Sequence, residues 1–409
     1  MTVASSEPRI EAKRASIADD ATFGPGVDIE ADEVEIGPGA RIGFSGDDDF
    51  RTLPGVRVRV RRLVVGAGAT IGRSVRIDGG GDILLDEGVR ILRNSTVKVS
   101  DELRIGAYGT VNEACEIGGR RIAIGQELWM LPGAKIGGGS AYELTSSLAI
   151  GHYVHLGVQT LINTARPVTI GHEVGLGTRT SIYTHGAYPS RLQGFPVAFD
   201  GVEIGDFTWI PGATINPGVK IGRNVVVGVN SLVTSSLPDG ALAVGSPAKV
   251  VKENAYPRPF GADQRARFFD EFLARYGVLL GSDAAVNSGG PDGASRLDDG
   301  STVFVGVAAD DGASVASGLA GAEGLDRRRV IAIGPGAAAA TVPETWTLLD
   351  PSTRRITGVA DAASERFVNE LRRYGIRFYS RPRGDRYVDW DVEPPSFGGA
   401  PTTERTSER

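Results

Sequence analysis

The sequence predicts an all-β main domain, a parallel β-helix of hexapeptide repeats, followed by a helix and a small α/β domain. The main observation is a six-residue period from about Val27 to about Val251, in which an aliphatic residue is followed by Gly and then by a small residue. Neither the two-residue period of a strand nor the 3.6-residue period of a helix returns an aliphatic residue at every sixth position. Glycine usage agrees with this fold, because 57 of the 409 residues are Gly, about twice the usual share.

The repeat can be followed from one strand to the next. It runs through Ile150-Gly151, Leu156-Gly157 and Ile162-Asn163, and again through Ile221-Gly222 and Val227-Gly228. If each short strand contributes one inward aliphatic side chain and then bends, three strands close one triangular coil, and coils stack about 4.8 Å apart. Gly suits the bends because it has no Cβ to clash there. We therefore expect about ten coils.

Changes in the pattern divide the chain into six segments. The repeat stops after Pro259, and Phe268, Phe272 and Tyr276 then recur three to four residues apart, as on one face of an amphipathic helix. We expect this helix to pack on the last coils. The predicted segments are a polar lead-in (1–26), the β-helix (27–259), the packing helix (260–280), a linker rich in Gly, Asp, Ser and Ala (281–300), a small α/β domain (301–391) and a disordered tail (392–409).

Three apolar stretches predict strands in the small domain, namely Thr302–Ala308, Val330–Ile333 and Trp346–Leu349. A helix marked by apolar residues follows and is expected to stop at Gly375. Gly334-Pro335-Gly336 does not predict a nucleotide site, because the full glycine spacing is missing and proline removes an amide donor. The function of this domain stays open at the level of sequence.

Composition excludes several classes of function. The net charge of −6, the isoelectric point near 5.5 and the lack of a dense Lys/Arg run predict no general attraction to nucleic acid or to an anionic membrane. The single cysteine, Cys115, excludes an intramolecular disulfide and a cysteine zinc cluster, and its place in the repeat predicts a core position. No apolar run has the character of a signal peptide or the length of a membrane span, so we expect a cytoplasmic protein.

Four histidines are the main candidates for chemistry. His152, His155 and His172 lie within regular repeats, where we expect them on the solvated surface. Imidazoles on stacked coils are able to converge on a metal ion, yet the spacing does not favour a catalytic metal site and none is predicted. His185 differs, because it lies in an excursion from the repeat over residues 183–201. A histidine in such a loop can reach a neighbouring surface and titrate near neutral pH, so it is the best candidate for a general base.

Four motifs together resemble a known family. They are Val168–Gly171 followed after a further coil by His185, the segment Ile204–Ile210 with its tryptophan, the turn Asn216-Pro217-Gly218, and the ending Gly245–Lys249. This set is similar to the hexapeptide-repeat acyltransferases, most closely to the galactoside and maltose O-acetyltransferase type. The resemblance covers residues 148–253 well, residues 27–147 only as generic repeat, and the rest of the chain not at all.

The resemblance implies a left-handed β-helix that uses acyl-CoA, most simply acetyl-CoA, and needs no metal. It implies that His185 is the general base and that Asn163, which stands in place of Gly after Ile162, is a polar orienter beside the acceptor. A side-chain ladder or a turn hydrogen bond is an equally good interpretation of Asn163. Relatives bind coenzyme A in a groove between subunits. The matching candidate contacts here are Trp209, Gly212, Val229, Thr234, Ser235, Lys249 and Lys252.

Two positions depart from the family pattern. The step from Ile210 to Ile215 has five residues instead of six, which shortens one corner near the expected thioester channel. Ser235 stands where relatives often carry lysine, so some attraction to phosphate is lost. Neither departure removes the predicted base, His185.

The predicted reaction is direct transfer of an acetyl or other short acyl group to a hydroxyl of a sugar or similar small acceptor. The acceptor is expected to meet Tyr183, Tyr188 and Arg191, with Phe195 nearby, although these residues fit the seam of a trimer equally well. The resemblance implies a homotrimer in which a neighbour supplies the second wall of the cleft. Two alternatives stay open: an N-acyltransferase acting on an amino sugar or amino acid, and a β-helix that serves as a scaffold or sensing module without catalysis.

Overall fold

The computed structural model of the 409-residue chain describes residues 7–44, 54–138, 143–187, 189–281, 285–287, 294–307, 329–334 and 345–392. Contacts between Cα atoms divide these residues into two units, one ending at Pro257 and the other beginning at Arg258. The predicted tail lies outside the described residues except for residue 392. No helix among the described residues is long and apolar enough to cross a bilayer.

The first unit is a prism with three faces, each a stack of parallel strands. The strands that bend through the first two faces are β1 (Arg9–Ile17), β3 (Asp28–Ile36), β5 (Arg57–Val65), β10 (Thr96–Ile105) and β12 (Glu116–Ile124). Those of the first face alone are β7 (Arg76–Asp78), β14 (Lys135–Ile136), β17 (Leu161–Ile162), β20 (Ser181–Ile182), β25 (Ala213–Ile215) and β28 (Ser231–Val233). Those of the second face alone are β8 (Asp82–Leu85), β15 (Ser147–Ile150), β18 (Val168–Ile170), β23 (Val202–Ile204) and β26 (Lys220–Ile221).

The third face ends in a short antiparallel pair. Its parallel strands are β2 (Thr22–Phe23), β4 (Arg41–Ile42), β6 (Thr70–Ile71), β9 (Arg90–Ile91), β11 (Thr110–Val111), β13 (Trp129–Met130), β16 (His155–Leu156), β19 (Gly175–Leu176), β24 (Trp209–Ile210), β27 (Val226–Val227) and β29 (Leu242–Val244). The last strand, β30 (Lys249–Lys252), pairs antiparallel with β29. A separate hairpin joins β21 (His185–Gly186) to β22 (Ala198–Phe199).

Stacked aliphatic side chains hold the coils together. On the first face Ile136 pairs with Ile162, Ile162 with Ile182 and Ile182 with Ile215, and all four are 1% exposed or less. Each such side chain contributes about 1.5–3 kcal/mol by leaving water. Eleven strands follow one another on this face of the described prism, against about ten coils expected. The predicted fold class, a left-handed parallel β-helix followed by a helix and a small α/β domain, is confirmed.

The prediction that residues 1–26 are a polar lead-in is wrong for the part that the structure describes. Strand β1 pairs in parallel with β3, and β2 pairs with β4, so these strands form the first coil. The six-residue pattern is hidden here because Ile10 stands between Arg9 and Glu11, and because no Gly follows Ile10 or Ile17.

The second unit is an α/β domain around one sheet. The sheet has the order β31 (Ala285–Asn287), β32 (Ala294–Asp298), β33 (Thr302–Val307), β34 (Arg329–Ile333), β35 (Thr347–Asp350) and β36 (Arg355–Gly358). Strands β33, β34 and β35 pair in parallel, and the other pairs are antiparallel. The remaining elements are the helices α1 (Ala262–Leu280) and α2 (Ala362–Arg372) and the hairpin β37 (Ser380–Arg383) to β38 (Arg386–Asp389). The three strands and the helix predicted in this domain are confirmed.

Two expectations at the start of the second unit are wrong. The helix predicted to pack on the last coils is α1, and its residues Phe272 and Tyr276 belong instead to the core of the second unit, where they meet Phe304 and Phe367. Apolar side chains of the sheet, such as Ile331 and Leu349, belong to the same core. The predicted linker contains β31 and β32, and Leu297 of β32 is fully buried in this core. The strand is hidden in the sequence because Leu297 stands between Arg296 and Asp298.

Candidate functional site

His185 lies at the base of the excursion from the β-helix. Strand β20 ends at Ile182 on the first face, and the chain then leaves the coil. The hairpin of β21 and β22 closes the excursion, since His185 pairs directly with Phe199. His185 is half-buried, so its ring is held on one side while solvent reaches the other.

A hydrogen bond to Asn163 fixes the histidine ring. Nδ1 of His185 lies 3.0 Å from Oδ1 of Asn163. This amide oxygen also accepts the backbone N–H of Ala165 at 3.2 Å and the hydroxyl of Thr184. Because an amide oxygen can only accept, Nδ1 of His185 is the donor in this contact. In the neutral form of the ring, the lone pair is then on Nε2.

The coil register explains why these residues meet. Asn163 comes directly after Ile162, and Thr184 lies two residues after Ile182. The two isoleucines pair with each other in adjacent coils. Asn163 is 4% exposed and Thr184 is fully buried, so the acceptor oxygen has little freedom to move. His185, the predicted base, and Asn163, predicted to lie beside the acceptor, are therefore in direct contact with each other.

Phe199 and Arg166 complete the surroundings of His185. The ring of Phe199 lies nearly parallel to the imidazole, with 5.8 Å between centroids and 12° between planes. The guanidinium carbon of Arg166 lies 4.8 Å from the centre of the Phe199 ring. Arg166 also donates to the hydroxyl of Thr145 and to the carbonyl of Ala165, at 2.9 and 2.7 Å. Sequence reasoning missed both residues, because their contact depends on how the excursion folds back.

The prediction that His152 and His172 lie on the solvated surface is wrong for His152. Its side chain is buried, and the two imidazoles stack with 4.8 Å between centroids. The backbone N–H of Gln126 donates to Nδ1 of His152, and that of His152 donates to Nδ1 of His172. Burial, with a smaller contribution from His172, lowers the pKa of His152 from 6.5 to about 4. These imidazoles form a ladder that satisfies backbone groups at one corner.

Neither a metal cluster nor a reactive thiol lies among the described residues. Among the described residues, no group of three or more His, Cys, Asp or Glu side chains is arranged to hold a metal ion. Cys115 is buried in the core of the β-helix, and burial raises the pKa of its thiol to about 11. A thiol in that state is a poor nucleophile near neutral pH.

The predicted acceptor residues are spread along the excursion. Tyr183 is 39% exposed and precedes the hairpin, and its backbone N–H donates to the carbonyl of Ile215 at 2.9 Å. Arg191 lies on the surface in a short 3₁₀ turn, Arg191–Gln193. Tyr188 lies outside the described residues.

The shortened corner next to Trp209 is absorbed by one glycine. Ile210 and Ile215 both remain fully buried, so the two faces keep their inward residues in spite of the missing position. Gly212 takes up the difference with a φ of 127°, a region that favours glycine. A Cβ at Gly212 would lie 2.9 Å from the carbonyl oxygen of Thr178 and 3.8 Å from a methyl group of Val229.

The other predicted coenzyme contacts are all on the surface. Trp209 is 57% exposed and Val229 is 65% exposed. The ring of Trp209 lies against Gly175 of the neighbouring coil. A Cβ at Gly175 would lie 3.2 Å from Cδ1 of this ring. Four exposed residues complete the set, with Thr234 and Ser235 after β28 and Lys249 and Lys252 on β30.

Comparisons with known proteins point to one class. No protein-family model matches the chain. YJL218W of Saccharomyces cerevisiae, whose name as an acetyltransferase is provisional, is 43% identical over 77 residues, which are 18% of this chain and 38% of that protein. Galactoside O-acetyltransferase of Escherichia coli is 39% identical over 64 residues, 15% of this chain and 29% of that enzyme. This chain thus spans about a third of the length of the curated relatives that it matches.

A solved structure, a maltose O-acetyltransferase from Clostridium difficile 630, shares 28% identity, with 33% of this chain and 67% of that chain covered and a TM-score of 0.24. The relatives that match in sequence are named as acetyltransferases, and the matched residues make up less than a fifth of this chain. The resemblance to the galactoside and maltose O-acetyltransferases is confirmed, with an α/β unit following the repeats.

Proposed function

We propose that this protein is an acyl-CoA-dependent O-acyltransferase that moves an acetyl group to a hydroxyl of a sugar or similar small acceptor. The observation that carries the proposal is the hydrogen bond between His185 and Asn163, which leaves Nε2 of a half-exposed imidazole as a proton acceptor. A general base needs such an unprotonated nitrogen, held in place within reach of solvent and substrate. The names of the sequence relatives agree with acyl transfer.

The chemistry is a direct transfer in a ternary complex. Nε2 of His185 takes the proton from the acceptor hydroxyl while its oxygen attacks the thioester carbon. A new C–O bond forms, the C–S bond breaks, and the protonated imidazole returns the proton to the leaving thiolate of coenzyme A. No covalent enzyme intermediate is needed, and the thiol of Cys115 is buried with its pKa raised to about 11.

Acetyl-CoA is the proposed donor, bound along the exposed face that carries Trp209. The set assigned to it is Trp209, Gly212, Val229, Thr234, Ser235, Lys249 and Lys252. An indole and a branched side chain suit the apolar arm of coenzyme A, and two exposed lysines on β30 suit its phosphates. The co-substrate supplies the acyl group, and the proposal includes no metal.

The acceptor is placed beside the excursion, with Tyr183, Tyr188 and Arg191 as its contacts. Because the surface of a straight prism is shallow, we propose that the active form is a homotrimer in which a neighbouring subunit closes the cleft. The exposed side chains of Tyr183 and Phe195 are consistent with either role, contact with acceptor or with a neighbour. The cytoplasmic location expected from the sequence is part of the same proposal.

Turnover of acetyl-CoA with a panel of sugars and amino sugars tests the proposal. We expect thiol release with a sugar hydroxyl acceptor, and a loss of about 10²- to 10⁴-fold in kcat/KM for His185→Ala. His155→Gln, at a half-buried histidine on the third face, is the matched control and should keep activity within about threefold of the parent. Equal turnover by parent and His185→Ala would remove the base. Products acylated only on nitrogen would favour the N-acyltransferase, and no binding of coenzyme A would favour the scaffold.

A further inference from the structure

The first coil is less covered than the coils that follow it. Ile17 is 37% exposed, and Ile10 and Phe23 are only partly buried, whereas Ile29 and Ile36 in the second coil are 2% exposed or less. Within the described residues β1 pairs only with β3, and β2 pairs only with β4. Strand β1 therefore offers a nine-residue free edge with apolar residues behind it.

Charge alternates from coil to coil at this end of the β-helix. Strand β1 carries three basic residues and one acidic residue, β3 carries five acidic residues, and β5 carries four basic residues. Ion pairs join them across the coils. Asp28 of β3, for example, lies between Arg9 of β1 at 3.2 Å and Arg59 of β5 at 2.5 Å.

The second half of these strands repeats the arrangement. Glu33 of β3 lies between Arg14 of β1 and Arg62 of β5, at 3.5 and 3.4 Å. Lys13 of β1 pairs with Asp32 at 2.8 Å. The side chains of Lys13 and Arg14 are still 79% and 78% exposed, because a coil lies on only one side of them. A strand on the other side would meet a row of accessible cations.

We propose that the free edge of β1 is a docking surface for an extended acidic segment of a partner protein, which adds to the β-helix as a further parallel strand. Main-chain hydrogen bonds would supply affinity, and acidic side chains facing Arg9, Lys13 and Arg14 would supply specificity. Alternate apolar residues of the segment would cover Ile10 and Ile17. A second copy is the wrong occupant, because its β1 would bring basic residues against basic residues. Residues 1–6 of this chain contain no acidic residue.

A synthetic peptide with the sequence of residues 28–36 is the appropriate probe, since β3 is the parallel partner that β1 already binds. The matched control has every Asp changed to Asn and every Glu to Gln. With the full-length protein, fluorescence polarisation should show the acidic peptide binding about tenfold more tightly than its amide counterpart. The preference should shrink when ionic strength rises from about 0.05 M to about 0.5 M.

Hydrogen exchange and two variants locate the binding. Bound peptide should slow amide exchange in β1 and leave β28 unchanged. The double variant Lys13→Gln/Arg14→Gln should bind the acidic peptide about tenfold more weakly, whereas Arg90→Gln on the third face should bind it as the parent does. Three results would overturn the proposal: equal binding of both peptides, protection outside residues 9–17, or tight binding only after removal of residues 1–6. Self-association of the chain that the peptide disperses would also overturn it.

Discussion

The ring of Phe199 lies nearly parallel to the imidazole of His185, with 5.8 Å between their centroids. The two residues are also paired across the hairpin that closes the excursion, so backbone and side chain hold them in the same place. Arg166 contacts the ring of Phe199 and is tied in turn to Thr145 and Ala165. The position of the proposed base is therefore set by the coil on one side and by the returning excursion on the other.

Removing the ring should slow the reaction without weakening donor binding. We expect Phe199→Ala to lower kcat about three- to tenfold, since a stacked aromatic pair contributes about 0.5–1.5 kcal/mol, and to leave the KM for acetyl-CoA unchanged. Phe199→Tyr should restore most of the rate. Leu192→Ala is the control, because Leu192 lies in the same excursion and is 94% exposed. An equal loss in both alanine variants would show a general effect on the excursion.

Asn163 provides a test that separates orientation from structure. Without its amide oxygen, Nδ1 of His185 loses its acceptor, and Asn163→Ala should lower kcat about ten- to hundredfold. Asn112 is a matched residue, because its side chain also forms a hydrogen bond to the next coil, where it donates to the carbonyl of Met130. It lies in an earlier coil than Asn163. Asn112→Ala should cost similar thermal stability and keep kcat. If both variants lose stability and neither loses kcat, Asn163 belongs to a structural ladder alone.

Burial of His152 predicts acid lability. The pKa of this imidazole is about 4 in the folded protein against an ordinary value of 6.5. As pH falls, the unfolded chain therefore binds a proton here before the folded protein does. Its neutral form therefore favours the folded state fully above pH 6.5, and this advantage is lost between about pH 6.5 and pH 4. Urea unfolding at pH 7 and at pH 5 should show a smaller drop for His152→Gln than for the parent. His155→Gln should behave as the parent, and identical drops in all three proteins would contradict the prediction.

The thiol of Cys115 should be inert in the native protein. Its side chain is buried and its pKa is raised to about 11, so little thiolate is present at pH 8. A colorimetric thiol reagent should therefore react with less than about a tenth of the protein in buffer and with one thiol per chain in urea. Rapid reaction of the native protein, at a rate like that of free cysteine, would show that the core opens at this coil.

A side chain at Gly212 is expected to destabilise the protein. Its φ of 127° and the 2.9 Å separation from the carbonyl oxygen of Thr178 predict that Gly212→Ala costs about 1–3 kcal/mol in the free energy of unfolding. Gly118→Ala is the comparison, because a Cβ there has ordinary contacts at 3.7 Å. It should change stability by less than about 1 kcal/mol. Denaturant titration of both variants measures the difference, and equal stability would mean that the corner relaxes freely.

The sequence predicts most of the β-helix because its physics is local and repeats. An aliphatic residue at each sixth position is compatible with few folds other than a β-helix. The register of adjacent coils in that fold brings Asn163 next to His185. The first coil is missed because β1 has as many charged residues as apolar ones, and because no Gly follows its isoleucines. The placement of α1 is missed because an amphipathic pattern predicts an apolar helix face that must be covered, but does not indicate which element covers it. Arg166 and Phe199 are missed because they meet through an irregular fold of the chain, which no period encodes.

The coil register also decides which changes of length the molecule can accept. Ile162 and Ile182 occupy the same place in adjacent coils. The contact between the proposed base and its orienter depends on the register between these two coils. Coils above and below contribute thickness to the stack and no group to that pair. Loss of a complete coil in the first hundred residues would therefore shorten the prism, and gain of one would lengthen it. Either change would leave the pair intact. A single residue lost between Ile162 and Ile182 would turn the imidazole away from its partner, unless a corner took up the difference as Gly212 does. For this protein the phase of the repeat therefore matters more than its length.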